Sequence, residues 1–313
     1  MKNLTKIVSI SCLLITTCRT QTTKEFQEGS ITTSDGVQLY YCLVGAGPDT
    51  VVVPAAAYLV QEFKRLSPGR TLIFYDPRNR GRSAAASDST HIGMPYGLAD
   101  LESVRQYFGL KKMSLIGMSY LGAMVALYAA EHPEQVDRII QIDPIPPRKD
   151  PYWQQFRTIH AARMDSLGFG CLQNMQDMVE DIATPAIYRK MVDRLRLAAM
   201  MANPEAISSL KAEHRSDLEN ESPENIEFVM SKMYESLGDW DWRNEMGNLL
   251  MPVLTIQGEQ DPLPMSGAEE WVEILPNARL LKIPDSGHLP FVEQPELFYP
   301  AVEKFLNGEW PEG

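Results

Sequence analysis

Residues 115–122 read Leu115-Ile116-Gly117-Met118-Ser119-Tyr120-Leu121-Gly122. An apolar run from Met113 to Ile116 leads into this stretch, and an Ala-rich segment from Ala123 to Glu131 comes after it. The order predicts a strand, a tight turn and a helix, with a serine at the apex. Such a turn is strained, and small flanking residues let the serine hydroxyl stand clear of the backbone. It also sets the Tyr120 N–H at a helix N-terminus, where negative charge is stabilised. One position departs from the usual pattern: Leu121 stands two residues after the serine, where glycine is expected. Gly122 is the neighbour that can supply the close helix–strand contact instead. A serine turn of this kind also occurs between ordinary strands and helices, so its weight depends on the rest of the chain.

Outward from the serine, short continuous apolar runs alternate with helical stretches. The expected strands are Thr50–Val53, Thr71–Tyr75, Lys112–Ile116, Arg138–Ile142, Val253–Gln257 and Ala278–Ile283. Helical spacing falls near 58–66, 98–108, 120–131, 266–275 and 293–306. Strands that are apolar along their whole length, alternating with helices, imply a parallel sheet covered on both faces. Before them, Gly29 to Leu43 alternates around Ser34-Asp35-Gly36, which predicts a hairpin with an Asp-Gly turn. From 144 to 248 the strand signal stops. That segment carries Met, Glu and Arg at helical spacing, broken at Pro204 and Pro223. Most of its methionines read as helix packing, and some could line an adaptable apolar pocket beneath a lid.

A base and an acid stand where a parallel sheet would deliver them. After Val253–Gln257 comes Gly258-Glu259-Gln260-Asp261-Pro262, and after Ala278–Ile283 comes Pro284-Asp285-Ser286-Gly287-His288. Ligand sites of open α/β sheets lie beyond the carboxyl ends of their strands. The chain order is Ser119, Asp261, His288, the order of one known nucleophile arrangement. Ser119 would attack a carbonyl, His288 would take its proton and return it to the leaving group, and Asp261 would hold the imidazole. Asp143 also follows a strand and is the alternative acid, although Asp143-Pro144-Ile145-Pro146-Pro147 reads as an exit from the sheet. His132 lies in a His-Pro-Glu turn, and His91, His160 and His214 have no strand-end context.

With these loops in place, the sequence resembles the α/β-hydrolase superfamily over nearly all of residues 29–308. The resemblance rests on Ile73-Phe74-Tyr75-Asp76-Pro77-Arg78-Asn79-Arg80-Gly81-Arg82-Ser83, the serine turn, Glu131-His132-Pro133-Glu134-Gln135-Val136, the Asp261 loop, and Gly287-His288 with Glu293-Gln294-Pro295. Within the superfamily the chain is most similar to the proline iminopeptidase-like branch. The resemblance implies a core at 29–143 and 249–308, with a helical cap at 144–248 inserted after the sixth strand. It also implies hydrolysis of a small ester or amide through an acyl-enzyme. The oxyanion donors would be the backbone N–H groups of Tyr120 and of a residue just after Thr50–Val53. Relatives carry His-Gly there; this chain has Pro54-Ala55-Ala56-Ala57-Tyr58. Ala56 aligns best as that donor, with Ala55 and Ala57 as neighbours. Asp76 and Arg78 to Arg82 are expected to pin a loop.

The residues support three functional readings. The first is a serine esterase or amidase. The second is an aminopeptidase of the proline iminopeptidase type, whose relatives hold a free amino terminus with acidic residues under the cap; Glu205, Glu213, Asp217, Glu219, Glu221, Glu224 and Glu227 are the candidates here. The third, from a different class, is a binding protein that captures a small apolar ligand with little turnover. A serine rather than an aspartate at the turn argues against haloalkane dehalogenase and epoxide hydrolase chemistry.

Composition narrows the partners. The 313 residues carry a net charge of −12, with an isoelectric point near 5.0, which argues against nucleic acid or anionic membrane surfaces. No apolar run approaches the roughly 20 residues of a membrane-spanning helix. Lys2 and Lys6 precede the short apolar run Ile7 to Ile15, then Thr16, Thr17 and Cys18, the layout of a secretory leader. Residues 1–18 are therefore expected to direct export to the periplasm or beyond. The segment resembles a bacterial lipoprotein signal and leaves open a lipid anchor at Cys18. Cys42 and Cys171 would remain in the mature chain, as a pair or as buried thiols. No metal or organic cofactor is expected, because no His, Cys and Asp residues cluster at ligand spacing and there is no phosphate-binding glycine loop.

Overall fold

A computed structural model describes residues 26–168, 185–211 and 218–312, apart from the side chains at 185–190 and 219. The leader 1–18 with Cys18 lies outside the described residues, as do Cys171, Met175, Met178, Glu213, His214 and Asp217. Eight strands form one sheet: β1 (Phe26–Thr32), β2 (Gln38–Val44), β3 (Asp49–Pro54), β4 (Arg70–Tyr75), β5 (Met113–Met118), β6 (Val136–Ile142), β7 (Val253–Gly258) and β8 (Ala278–Ile283). Their order is β1-β2-β4-β3-β5-β6-β7-β8, with β2 antiparallel to its two neighbours and every other pair parallel. The expected hairpin is present as β1 and β2. Its turn is closed by Thr33 N–H on the Val37 carbonyl at 2.9 Å, with Gly36 at φ 88°.

Helices cover both faces. On one side lie α1 (Ala56–Phe63) and, at the end of the chain, the helix Pro295–Leu306. They pack Leu59, Phe63, Phe298 and Phe305 against β3, β4 and β6. On the other side lie α2 (Met94–Tyr107), α3 (Tyr120–Glu131) and the helix Met265–Ile274, which bring Leu101, Val104, Met124, Val125 and Trp271 to a second core. The two cores explain why the central strands lack alternation, since both of their faces exclude water. Every residue of α3 from Tyr120 to Ala126 is buried between the sheet and the outer layer.

Between β6 and β7 the described residues form helices and no named strand: α4 (Tyr152–Ser166), α5 (Pro185–Ala198), α6 (Pro223–Leu237) and α7 (Arg243–Met246). After β7 come α8 (Met265–Ile274), α9 (Pro290–Glu293) and α10 (Pro295–Leu306). Of the methionines here, Met164, Met201 and Met233 are buried in the packing, while Met191 is exposed. Asn225 Nδ2 donates to the Asn79 carbonyl and Asn220 Nδ2 to the Ser83 carbonyl, both at 2.8 Å, fastening this helical layer to the turn after β4. Several elements run longer than the apolar runs predict. β5 continues through Gly117 and Met118 because both still pair with Gln141 and Ile142 of β6. Cys42 is buried on β2. No helix among the described residues is long and apolar enough to cross a membrane.

Candidate active site

Ser119 sits between β5 and α3 at φ 58° and ψ −129°, a conformation in which a residue with a Cβ is strained. Tertiary hydrogen bonds hold it there. Its N–H donates to the Ile142 carbonyl at 2.9 Å, and its carbonyl accepts from Gly122 at 2.9 Å and Ile145 at 3.3 Å. Gly117 makes the turn passable, since a Cβ there would come within 2.2 Å of the Leu121 carbonyl oxygen. Leu121, the departure from the expected glycine, is accommodated with 5% exposure on the cavity wall. Gly122 packs against Pro144, where a Cβ would approach to 3.1 Å.

Asp261 and His288 arrive in loops beyond the carboxyl ends of β7 and β8. Gly258 permits their approach, because a Cβ on it would strike the Gly287 carbonyl oxygen at 2.1 Å. Gln260 N–H donates to the Ser286 carbonyl at 2.8 Å and locks the two loops together. His288 Nδ1 and Asp261 Oδ2 are 2.6 Å apart, the length of a charge-assisted hydrogen bond. The other Asp261 oxygen accepts the Leu263 N–H at 2.8 Å. Burial lowers the His288 imidazole from its ordinary range and raises the Asp261 carboxyl. Ser119 and His288 line the same cavity. Their side chains are not hydrogen-bonded to one another, a contact that in unliganded sites often tightens only with substrate.

The segment after β3 takes an uncommon path. Ala55 lies in the left-handed region at φ 76° and ψ 58°, and α1 starts at the next residue. Ala57 N–H is committed to Asp76 Oδ1 at 2.8 Å, so it is not free to meet an oxyanion. Ala56 N–H, in the first turn of α1, and Tyr120 N–H, in the first turn of α3, have no acceptor among the described residues. Ala55 and Ala57 line the cavity, and Ala56 and Ala57 border a small cleft beside Tyr40 and Cys42. Asp76 also accepts the Arg82 N–H at 3.0 Å, and Arg78 is clamped between Asp35 and Asp100, so these residues pin the loop.

The cavity holds about 590 Å³ between the sheet and the helical layer. Its wall is largely apolar and aromatic. Trp153, Phe156 and Tyr234 form one side, with ring centroids 4.4 Å apart for Trp153–Tyr234 and 5.1 Å for Trp153–Phe156, and Met118, Met200 and Met230 also reach it. His160, which lacks any strand-end context in the sequence, lines the cavity from α4, and burial lowers it from its ordinary range. Of the cap carboxylates singled out in the sequence, Glu221 is buried at the cavity. It is gripped by Arg80 at 2.8 and 3.0 Å and by the Gly81 N–H at 2.8 Å. Glu227, at the rim, is paired with Arg196 at 3.0 Å. Glu205 and Glu224 are exposed, and the Glu219 side chain lies outside the described residues.

In the sequence Asp143 and Asp261 are alternatives for the acid, but the fold brings both to His288. One donor atom from each of the three falls within 4.8 Å of the others. Within the group, His288 and Asp261 are joined by the 2.6 Å contact, and Asp143 Oδ1 is held by the Gly258 N–H at 2.8 Å. Nothing local in the sequence signals this meeting, because the two aspartates belong to different strands.

Comparison with known proteins places the fold in a family. Residues 43–301 match the alpha/beta hydrolase family. A proline iminopeptidase from Saccharolobus solfataricus is 23% identical over 303 residues, covering 87% of this chain and 90% of the relative. A putative carbamate hydrolase from Caulobacter sp. is 25% identical over 264 residues, covering 84% and 88%. Among solved structures, an esterase from Exiguobacterium antarcticum superposes with a TM-score of 0.61 at 19% identity, covering 90% of this chain and all of that one (100%).

Proposed function

The chain belongs to the alpha/beta hydrolase family and is a hydrolase of the proline iminopeptidase-like kind; from that premise we propose that it cleaves small carboxylic esters through an acyl-enzyme formed on Ser119. The observation that carries this reading is a serine at a strained turn opening onto the same cavity as a His288–Asp261 pair. Ser119 Oγ attacks the substrate carbonyl while His288 takes its proton. The Asp261 carboxylate keeps the imidazole in the tautomer with Nδ1–H and stabilises the imidazolium. The oxyanion is received by the N–H groups of Tyr120 and Ala56. His288 then returns the proton to the leaving alcohol, and water enters by the same route in reverse to release the acid.

The apolar, aromatic wall supports an acyl group of that character over a charged one. An aminopeptidase needs a carboxylate free to receive an ammonium group. Glu221, the buried cap acid, is instead occupied by Arg80 and Gly81, which favours esters. The named iminopeptidase relative keeps aminoacyl amides as the second reading. A leader-like segment at 1–18 supports placing the enzyme outside the cytoplasm.

A fluorophosphonate probe is expected to label the wild-type protein at Ser119 and to leave Ser119→Ala unlabelled. That variant should lose at least about a thousandfold in kcat. p-Nitrophenyl butyrate should be turned over with a kcat/KM about tenfold or more above that of proline p-nitroanilide. Labelling that survives in Ser119→Ala would overturn the nucleophile assignment. A preference for the proline arylamide would restore the aminopeptidase reading, and saturable binding without a product burst would make the protein a ligand carrier.

A further inference from the structure

Asp143 comes directly after β6 and lies in the left-handed region at φ 43°. It is fully buried, and a carboxylate oxygen lies within 4.8 Å of both an Asp261 oxygen and a His288 ring nitrogen. Asp143 Oδ1 accepts the Gly258 N–H at 2.8 Å, while Oδ2 is buried and receives no donor. On Asp261 both oxygens are engaged, one by Leu263 N–H and one by His288 Nδ1. A carboxylate oxygen without a donor, sealed from water and beside a second carboxylate, is disfavoured twice: its hydration is lost, and like charges repel. One proton on Asp143 removes both penalties and turns the orphaned oxygen into a hydrogen-bond donor.

We propose that Asp143 is a positioning residue for the Ser119 reaction, held as the neutral acid and hydrogen-bonded to the Asp261 carboxylate, which it keeps ionised and aimed at His288 Nδ1. Its catalytic consequence rests on the serine-hydrolase reading above; its protonation does not. The cluster carries one negative charge rather than two, and that charge sits on the carboxylate that must stabilise the imidazolium. Burial pushes Asp143 well above the usual carboxylate range, and the Asp261 charge adds to that. Burial also raises Asp261, opposed by hydrogen bonds from Leu263 N–H and from Asp143. Two further charges face the cluster: Arg163 from α4, which favours ionised Asp261, and Glu293 from α9, which opposes it. Glu293 also acts on His288, offsetting part of the lowering that burial imposes.

The test compares Asp143→Asn, which is uncharged and can donate from its amide, with Asp143→Ala, which cannot. On p-nitrophenyl butyrate Asp143→Asn should keep kcat within about threefold. Asp143→Ala should lose about tenfold or more in kcat with little change in KM, and the acidic limb of its pH profile should move to higher pH because Asp261 protonates more readily. A second readout needs no turnover: infrared spectroscopy at pH 8 should show a protonated carboxyl band in the wild type and in Ser119→Ala that is missing from Asp143→Asn. A band that persists in Asp143→Asn overturns the proposal, as does equal damage in both variants with circular dichroism unchanged. If Asp143→Ala fails to fold, the infrared comparison still decides. If fluorophosphonate labels nothing while the Asp143 band is present, it is the hydrolase mechanism that fails and not the location of the proton.

Discussion

Two residues that line the cavity with Ser119, Ala55 and Asp76, carry much of what is particular to this protein. Ala55 occupies a left-handed conformation at φ 76°, which costs a residue with a Cβ about 1–2 kcal/mol. Neighbouring hydrogen bonds hold the strain in place: Ala57 N–H is drawn to Asp76, and both Tyr58 and Leu59 donate to the Ala55 carbonyl. Asp76 thus shapes the segment that carries the proposed oxyanion donor, and burial pushes its carboxyl up from 3.8 to about 6. Because the folded protein binds this proton more tightly than the unfolded chain does, Asp76 contributes stability that is fully present below about pH 4. That contribution falls away as pH rises through about 6, by about 3 kcal/mol in all. Asp76→Asn cannot titrate. Its thermal midpoint should therefore lie furthest below the wild type at about pH 4 and below, with the gap narrowing as pH rises through about 6. A gap independent of pH would show that folding does not shift the Asp76 carboxyl. The sequence marks Pro54–Tyr58 as a departure from the relatives, but not the left-handed Ala55, because alanine carries no signal for that conformation.

Among the elements, the short helix α9 has an influence beyond its length. Glu293 at its end accepts three backbone N–H groups: Gly287 at 2.7 Å, and Ala202 and Asn203 at 2.9 Å each. His288 N–H in turn donates to the Met200 carbonyl at 2.9 Å. The loop that carries the histidine is therefore buckled to the chain leaving α5, so the helical layer and His288 are positioned together. Glu293→Ala would strip three donors of a charged acceptor, and the thermal midpoint should fall by the equivalent of about 2–4 kcal/mol. kcat for ester hydrolysis should fall more than KM changes, and Glu293→Gln, which keeps one strong acceptor, should recover part of both. Unchanged stability and kcat in Glu293→Ala would show that the buckle is incidental. Strands and helices of the core were readable from apolar runs and their spacing, with ends displaced by a few residues where pairing continued past the run. Glu293-Gln294-Pro295 was readable as a family feature, but not as a strap onto Ala202 and Asn203, which lie in another part of the chain.

For the molecule as a whole, the Arg80–Glu221 pair joins the turn after β4 to the helical layer across the cavity. The side chains are 16% and 3% exposed, so removing one partner leaves a poorly solvated charge. Glu221→Ala should cost about 3–5 kcal/mol in stability. It should also speed proteolytic cleavage within residues 144–248 relative to the core, as read by mass spectrometry of limited digests. Wild-type cleavage rates in that variant would mean that the Asn220 and Asn225 contacts suffice to hold the layer. Local pattern alone was enough for the sheet, the hairpin, the serine turn and the sequential order of Ser119, Asp261 and His288. Periodicity and turn chemistry act between residues near in the chain, and that is where these features reside. The packed fold alone decided that Asp143 lies beside Asp261 and His288, that Ala57 is claimed by Asp76, and that Glu221 is gripped by Arg80. Each of those is a meeting between segments far apart in the chain, set by how helices and loops close over the sheet, and burial there settles which charges survive.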